Sequence, residues 1–139
     1  ADYIIVPAGG TAQMVTHEEL DKRQVFIQMK GREVFKFAVP KFVEIIQEAL
    51  SSCKLKLDDL AFIIPHQMNA RMIEAVAERL GAPMSKVLMN IERYGNTSAA
   101  SIPVVLDEAV RAGRIKRGDL ILITAMGAGL TWGTLILRW

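Results

Sequence analysis

The sequence carries a single cysteine, Cys53, among 139 residues. One cysteine excludes an internal disulfide framework and favours a reducing, cytosolic setting. With two histidines and no paired Cys/His spacing, no metal-ligand set is recognisable, and no cofactor is called for. No apolar run reaches the ~18 uninterrupted residues that a membrane span requires, and no charged-then-apolar leader opens the chain. Charge of one sign is also scarce. The formal net charge is +2, and no basic stripe interleaves with the aromatics, so nucleic acid is not indicated as a partner. What remains is a 51% hydrophobic, 23% charged chain, ordinary globular usage that calls for a real core. The length suits one domain or a part of a larger one. The chain opens on Ala1 and runs into polar, turn-rich sequence, which reads as a start inside a longer polypeptide. Residues 1–24 form an irregular lead-in to a single domain spanning 1–139, with room for a short strand at 3–6.

Residues 25–30 (VFIQMK) alternate and are rich in β-branched and aromatic side chains, which predicts a strand. A helical stripe follows over 35–52: Phe35, Ala38, Val39, Phe42, Ile45, Ile46, Ala49 and Leu50. Pro40 lies within it; lacking an amide and crowding its predecessor, it predicts two helices, the second starting near Pro40. Residues 60–65 are a second strand. Asn69 then reads as an N-cap for a helix carrying Ile73, Val76, Ala77 and Leu80 and closed by Gly81. Residues 87–91 read as a third strand. The small, polar stretch 95–101 feeds a helix that tolerates Pro103 only in its first turn and ends at Gly113. The purely apolar 120–126 is a central strand, and 130–139 returns antiparallel after Gly127-Ala128-Gly129. The pattern βαβαβαββ implies an α/β layered fold, a mixed sheet of five strands with helices on both faces.

In such sheets ligands bind at the carboxyl ends of the strands. That edge receives His66–Asn69, Tyr94–Ser101 and Met126–Gly129, with Lys30, Arg32 and Lys36 nearby. Each residue alone is ordinary. A histidine after an apolar strand is most often structural; functionally it is a donor or a base titrating near neutrality. Asn96 is most often a turn residue; functionally its NH₂ is a neutral donor. Gly127-Ala128-Gly129 is most often a hairpin turn; functionally it lets a backbone amide approach a substrate oxygen. Lys36, Arg71 and Arg79 are most often solvated charges; functionally they form a basic rim for an acidic partner. Cys53, at a helix end without a base beside it, is structural. Together these give a histidine and an asparagine donor without a nucleophile of their own, half of a site.

Three segments carry a specific likeness: Pro65-His66-Gln67-Met68-Asn69-Ala70-Arg71, Tyr94-Gly95-Asn96-Thr97-Ser98-Ala99-Ala100-Ser101 and Gly127-Ala128-Gly129-Leu130-Thr131-Trp132-Gly133. In this order and spacing they resemble β-ketoacyl-acyl carrier protein synthase III, the initiating condensing enzyme of type II fatty acid synthesis. The likeness runs from about Gly31 to Trp139. It implies the carboxyl-terminal half of a thiolase-like fold, with strand order 3-2-1-4-5 and the last strand antiparallel. It implies a Cys-His-Asn triad in which His66 and Asn96 match the His and Asn, and the cysteine belongs to the absent amino-terminal half. It implies Ala128 as the amide of an oxyanion hole, with Met126, Gly127 and Asn69 beside the substrate. Lys36, Arg71 and Arg79 fall where the family docks acyl carrier protein. Coenzyme A thioesters, the amino-terminal half and a second copy of the complete protein are the other implied partners. Met126 stands where the family usually has an aromatic residue, and Ala128 where it usually has a glycine. The other readings are a polyketide-starter or hydroxymethylglutaryl-coenzyme A synthase-like relative, and a stand-alone half that binds without turnover and self-associates.

Overall fold

The computed structural model describes residues 3–139. Ten helices and strands run in the order β1 (Ile4–Ile5), α1 (His17–Asp21), β2 (Gln28–Met29), α2 (Gly31–Ser52), β3 (Phe62–Pro65), α3 (Ala70–Leu80), α4 (Ile91–Tyr94), α5 (Ser101–Arg111), β4 (Leu120–Gly127) and β5 (Thr131–Arg138), with three short 3₁₀ turns between them.

The main sheet has the order β3-β4-β5. β3 runs parallel to β4, with Ile63 opposite Leu122 and Pro65 opposite Thr124, and β5 returns antiparallel along the whole of β4. Successive strand side chains point to opposite faces, and this sheet uses both. Ile63 and Leu122 enter one core with Val34, Ala38, Phe42, Ile46, Ile73 and Val76 from α2 and α3. Their neighbours Ile64 and Ile121 enter a second core with Leu88, Val105, Ala109 and Ile115 beneath α5. The result is a helix–sheet–helix sandwich, as the alternating pattern predicts. β4 is paired on both edges and buried on both faces, which is why its sequence has no polar alternation. Each fully buried Phe or Ile contributes roughly 1.5–3 kcal/mol of burial, and Phe42, Ile46, Ile64 and Ile121 all lie at 1% exposure or less.

Several expectations are corrected. Pro40 does not divide the helix: α2 runs unbroken from Gly31 to Ser52. Pro40 is exposed, as is Lys36, whose carbonyl lacks the usual partner. Buried Val34, Ala38, Val39, Phe42, Ile45 and Ile46 on both sides of the proline hold the helix together. Residues 25–30 contribute only the two-residue β2, which pairs with β1 in a separate antiparallel ladder. β3 and β4 pair residue for residue, leaving no room for another strand between them, so the 3-2-1-4-5 order is not the order here. Residues 87–91 form no strand. Val87 makes one bridge to Ile63, and Ile91 already begins α4.

The predicted helix signals hold elsewhere. Asn69 caps α3, accepting from the Met72 N–H, and Gly81 ends it at φ +69. Pro103 lies in the first turn of α5.

Candidate functional site

His66 follows β3 directly, and its backbone N–H donates to the Thr124 carbonyl at 2.8 Å. That bond extends the β3–β4 ladder one rung, so the histidine backbone is fixed to the sheet. The ring is half-buried, and its Nδ1 lies 2.7 Å from Ser101 Oγ at the start of α5. Burial lowers its pKa from the ordinary imidazole value and so favours the neutral ring.

Gln67 is wholly buried. Its Nε2 donates to the carbonyls of Pro65 (2.8 Å) and Leu88 (3.3 Å), and its Oε1 accepts from the Asn90 N–H (3.0 Å). One carboxamide supplies both donors and the acceptor that these three backbone groups need. It replaces the ladder that residues 87–91 would otherwise have formed.

Beyond Asn90, α4 carries the chain to Gly95-Asn96. Glu108 on α5 braces this connection: it accepts from Asn90 Nδ2, an Arg93 guanidinium N–H and the Tyr94 hydroxyl, each at 2.8 Å. These donors hold the Glu108 carboxyl below its ordinary range, with Asn90 foremost. The Tyr94 phenol is pushed up, chiefly by its bond to that carboxylate. Asn96 is exposed, and its Oδ1 accepts from the Ser98 N–H at 2.9 Å in a local turn. Its NH₂ makes no hydrogen bond among the described residues, which leaves it free as a donor.

β4 ends at Gly127, paired with Thr131, and the connection Ala128-Gly129-Leu130 lies on the same edge as His66. Gly129 (φ +78) and Leu130 (φ +53) take the left-handed conformation there, whereas Ala128 does not. Alanine is therefore unstrained at its position, and the turn closes through its neighbour. Met126 is half-buried against the larger core, and its partner Trp132 packs 6.0 Å from Phe37 on α2 and under the Lys41 ammonium.

The connections after β3 and β4 thus share one edge, and Ser101 joins the first of them to the connection after α4. Asn69, expected both as a helix cap and beside the substrate, engages its Oδ1 in capping α3. Lys36, Arg71 and Arg79 are exposed without an ion-pair partner among the described residues. Arg71 and Arg79 stand at opposite ends of α3, about 12 Å apart along its axis at 1.5 Å per residue. Cys53 is exposed at the end of α2 with no histidine bonded to it. Sequence reasoning missed Gln67 and Ser101 as parts of the site. The signal for Gln67 was a polar residue directly after a buried strand; Ser101 has none until its neighbour in space is known.

A three-layer α/β domain with a neutral imidazole, a carboxamide and a small-residue turn along one sheet edge is the class that fold and geometry define. Residues 50–139 match the family model described as 3-oxoacyl-[acyl-carrier-protein (ACP)] synthase III C terminal, and the chain belongs to that family. A β-ketoacyl-[acyl-carrier-protein] synthase III of Aquifex aeolicus is 54% identical over 114 residues, covering 82% of this chain and 37% of the relative. One from Roseiflexus sp. is 47% identical over 138 residues, covering 99% of this chain and 42% of the relative. The crystal structure of 3-oxoacyl-(acyl carrier protein) synthase III from Pseudomonas aeruginosa superposes with a TM-score of 0.85 at 35% identity, covering 99% of this chain and 41% of that one. The fold is thiolase-like, and the chain spans about two fifths of the length of these relatives.

Proposed function

We propose that this chain is the carboxyl-terminal half of a β-ketoacyl-acyl carrier protein synthase III and supplies the His and Asn of its Cys-His-Asn site. The observation that carries the reading is that the family match spans all three connections, 66–69, 94–101 and 126–129, with His66 and Asn96 both present. In the complete protein, an acyl group passes from coenzyme A to a cysteine on the amino-terminal half. The malonyl thioester on acyl carrier protein then loses CO₂. The electron pair of the broken C–C bond moves into the thioester as an enolate, whose carbon attacks the acyl-enzyme. A new C–C bond forms, the acyl C–S bond breaks, and the cysteine leaves as thiolate.

His66 and Asn96 would each donate to the thioester oxygen as it gains charge. A neutral His66, consistent with its burial, does this without trapping the enolate as an ion pair. Asn96 is suited by its unengaged NH₂. The Ala128 amide would serve the oxyanion of acyl transfer, with Met126 and Gly127 beside it. Lys36, Arg71 and Arg79 would meet the acidic carrier protein, the two arginines from opposite ends of α3. The chain alone, with Cys53 exposed and unactivated, would not turn over. A homodimer in a cytosolic setting completes the reading.

The test is His66→Ala and Asn96→Ala in the complete protein. Each should lower malonyl-thioester decarboxylation by about 10²–10³, the usual cost of one oxyanion donor, while cysteine acylation survives. Condensation at the parental rate in either variant refutes the assignment.

A further inference from the structure

The structure assigns a role to Ser101 that rests on the proposed use of His66: it is the positioning residue that fixes which ring nitrogen of His66 carries the proton. Ser101 is buried at 1% exposure, so its hydroxyl hydrogen must find an acceptor within the protein. Its Oγ has two neighbours, the Gln67 backbone N–H at 3.2 Å and His66 Nδ1 at 2.7 Å. The Gln67 N–H can only donate, so Oγ accepts there. If Nδ1 also carried a proton, Oγ would accept twice and its own hydrogen would be buried without a partner, at a cost. Donation from Oγ to an unprotonated Nδ1 satisfies every group. The ring proton is then on Nε2, and the imidazole presents an N–H donor on the side away from Ser101.

Gln67 makes the arrangement one-way. Its side chain is committed to Pro65, Leu88 and Asn90, and it is wholly buried, so its backbone N–H is held against Ser101 Oγ. The sequence Gln67 N–H → Ser101 O–H → His66 Nδ1 therefore runs in one direction. The same serine opens α5, so the helix that brings Asn96's connection into place also sets the tautomer of its partner donor.

The test is nitrogen-15 NMR of the ring of His66 in this chain, assigned against a His66→Asn variant. At a pH where the ring is neutral, Nε2 is expected to carry the proton, and Nδ1 to show the shift of an acceptor in a hydrogen bond. In Ser101→Ala the Nδ1 signal should move toward that of a free acceptor or of a mixed tautomer, and the ring pKa should rise because the donor favouring the neutral form is gone. Ser101→Thr should restore both. A proton on Nδ1 in the parent chain overturns the proposal whether or not any variant folds. Ring shifts and a pKa unchanged in folded Ser101→Ala overturn it as well. The readout uses no substrate, so it stands or falls separately from the condensing activity.

Discussion

The Tyr94 hydroxyl donates to Glu108 Oε1 at 2.8 Å, joining the last residue of α4 to the middle of α5. The other oxygen of Glu108 holds Asn90 and Arg93, so one carboxylate ties together three side chains of the approach to Asn96. Replacing Glu108 with Gln removes the charge that keeps the Tyr94 proton in place. The Tyr94 pKa, now raised, should fall toward the ordinary phenol value of about 10. Ultraviolet titration, with Tyr94→Phe subtracted, measures it. An unaltered titration would show that the phenol is not bonded to Glu108 in solution.

Gln67→Leu fills the same space but leaves the Pro65 and Leu88 carbonyls and the Asn90 N–H unpartnered in the interior. Each such group costs about 1–3 kcal/mol, so the expected loss is about 3 kcal/mol or more in urea unfolding. A loss below about 1 kcal/mol would mean that water or a shifted strand replaces the carboxamide.

His66 gives the stability a pH dependence of definite sign. Its folded pKa is depressed by burial, so the unfolded chain takes up the proton first as pH falls. Between the ordinary value of about 6.5 and the lower folded value, the unfolded state binds more protons and stability drops with falling pH. Above about 6.5 the ring is neutral in both states and contributes no slope. His66→Gln should therefore lose less stability than the parent between pH 7 and 5, measured by urea midpoints at each pH. Parallel curves would place the ring in water.

The turn after β4 separates two substitutions that look alike on paper. Gly129→Ala puts a side chain at φ +78, which costs roughly 1–2 kcal/mol. Ala128→Gly relieves no strain and should change stability by less than about 1 kcal/mol, in the destabilising direction, through unfolded-chain entropy. Thermal unfolding of both variants decides it. A larger loss at 128 than at 129 would reverse the conformations assigned to the turn.

The layered architecture was legible because apolar period and cap chemistry act locally. Asn69 and Gly81 bound α3 where the sequence places them, and the unpatterned 120–126 is the central strand. The failures have one source, competition from partners distant in sequence. A proline breaks a helix only if nothing else holds it, and α2 has a buried residue on nearly every turn. Residues 87–91 have strand composition, but the Gln67 side chain takes the backbone groups that would have formed the ladder. His66, Asn96 and the turn at 128 could be singled out because strand ends and small-residue turns are visible in one dimension. Ser101 could not, since a serine thirty-five positions from His66 declares itself only in space.

The extra rung between the His66 N–H and the Thr124 carbonyl makes the two proposed donors unequal in how they answer to change. One is a fixed datum: to shift the imidazole, evolution would have to break the central sheet. The other rides on a solvent-facing connection tied to α5 through Glu108, whose three bonds can be retuned one at a time without unfolding anything. Drift in the size or shape of an accepted substrate is thus expected to accumulate around residues 94–101 and at the turn after β4, while the histidine keeps its coordinates.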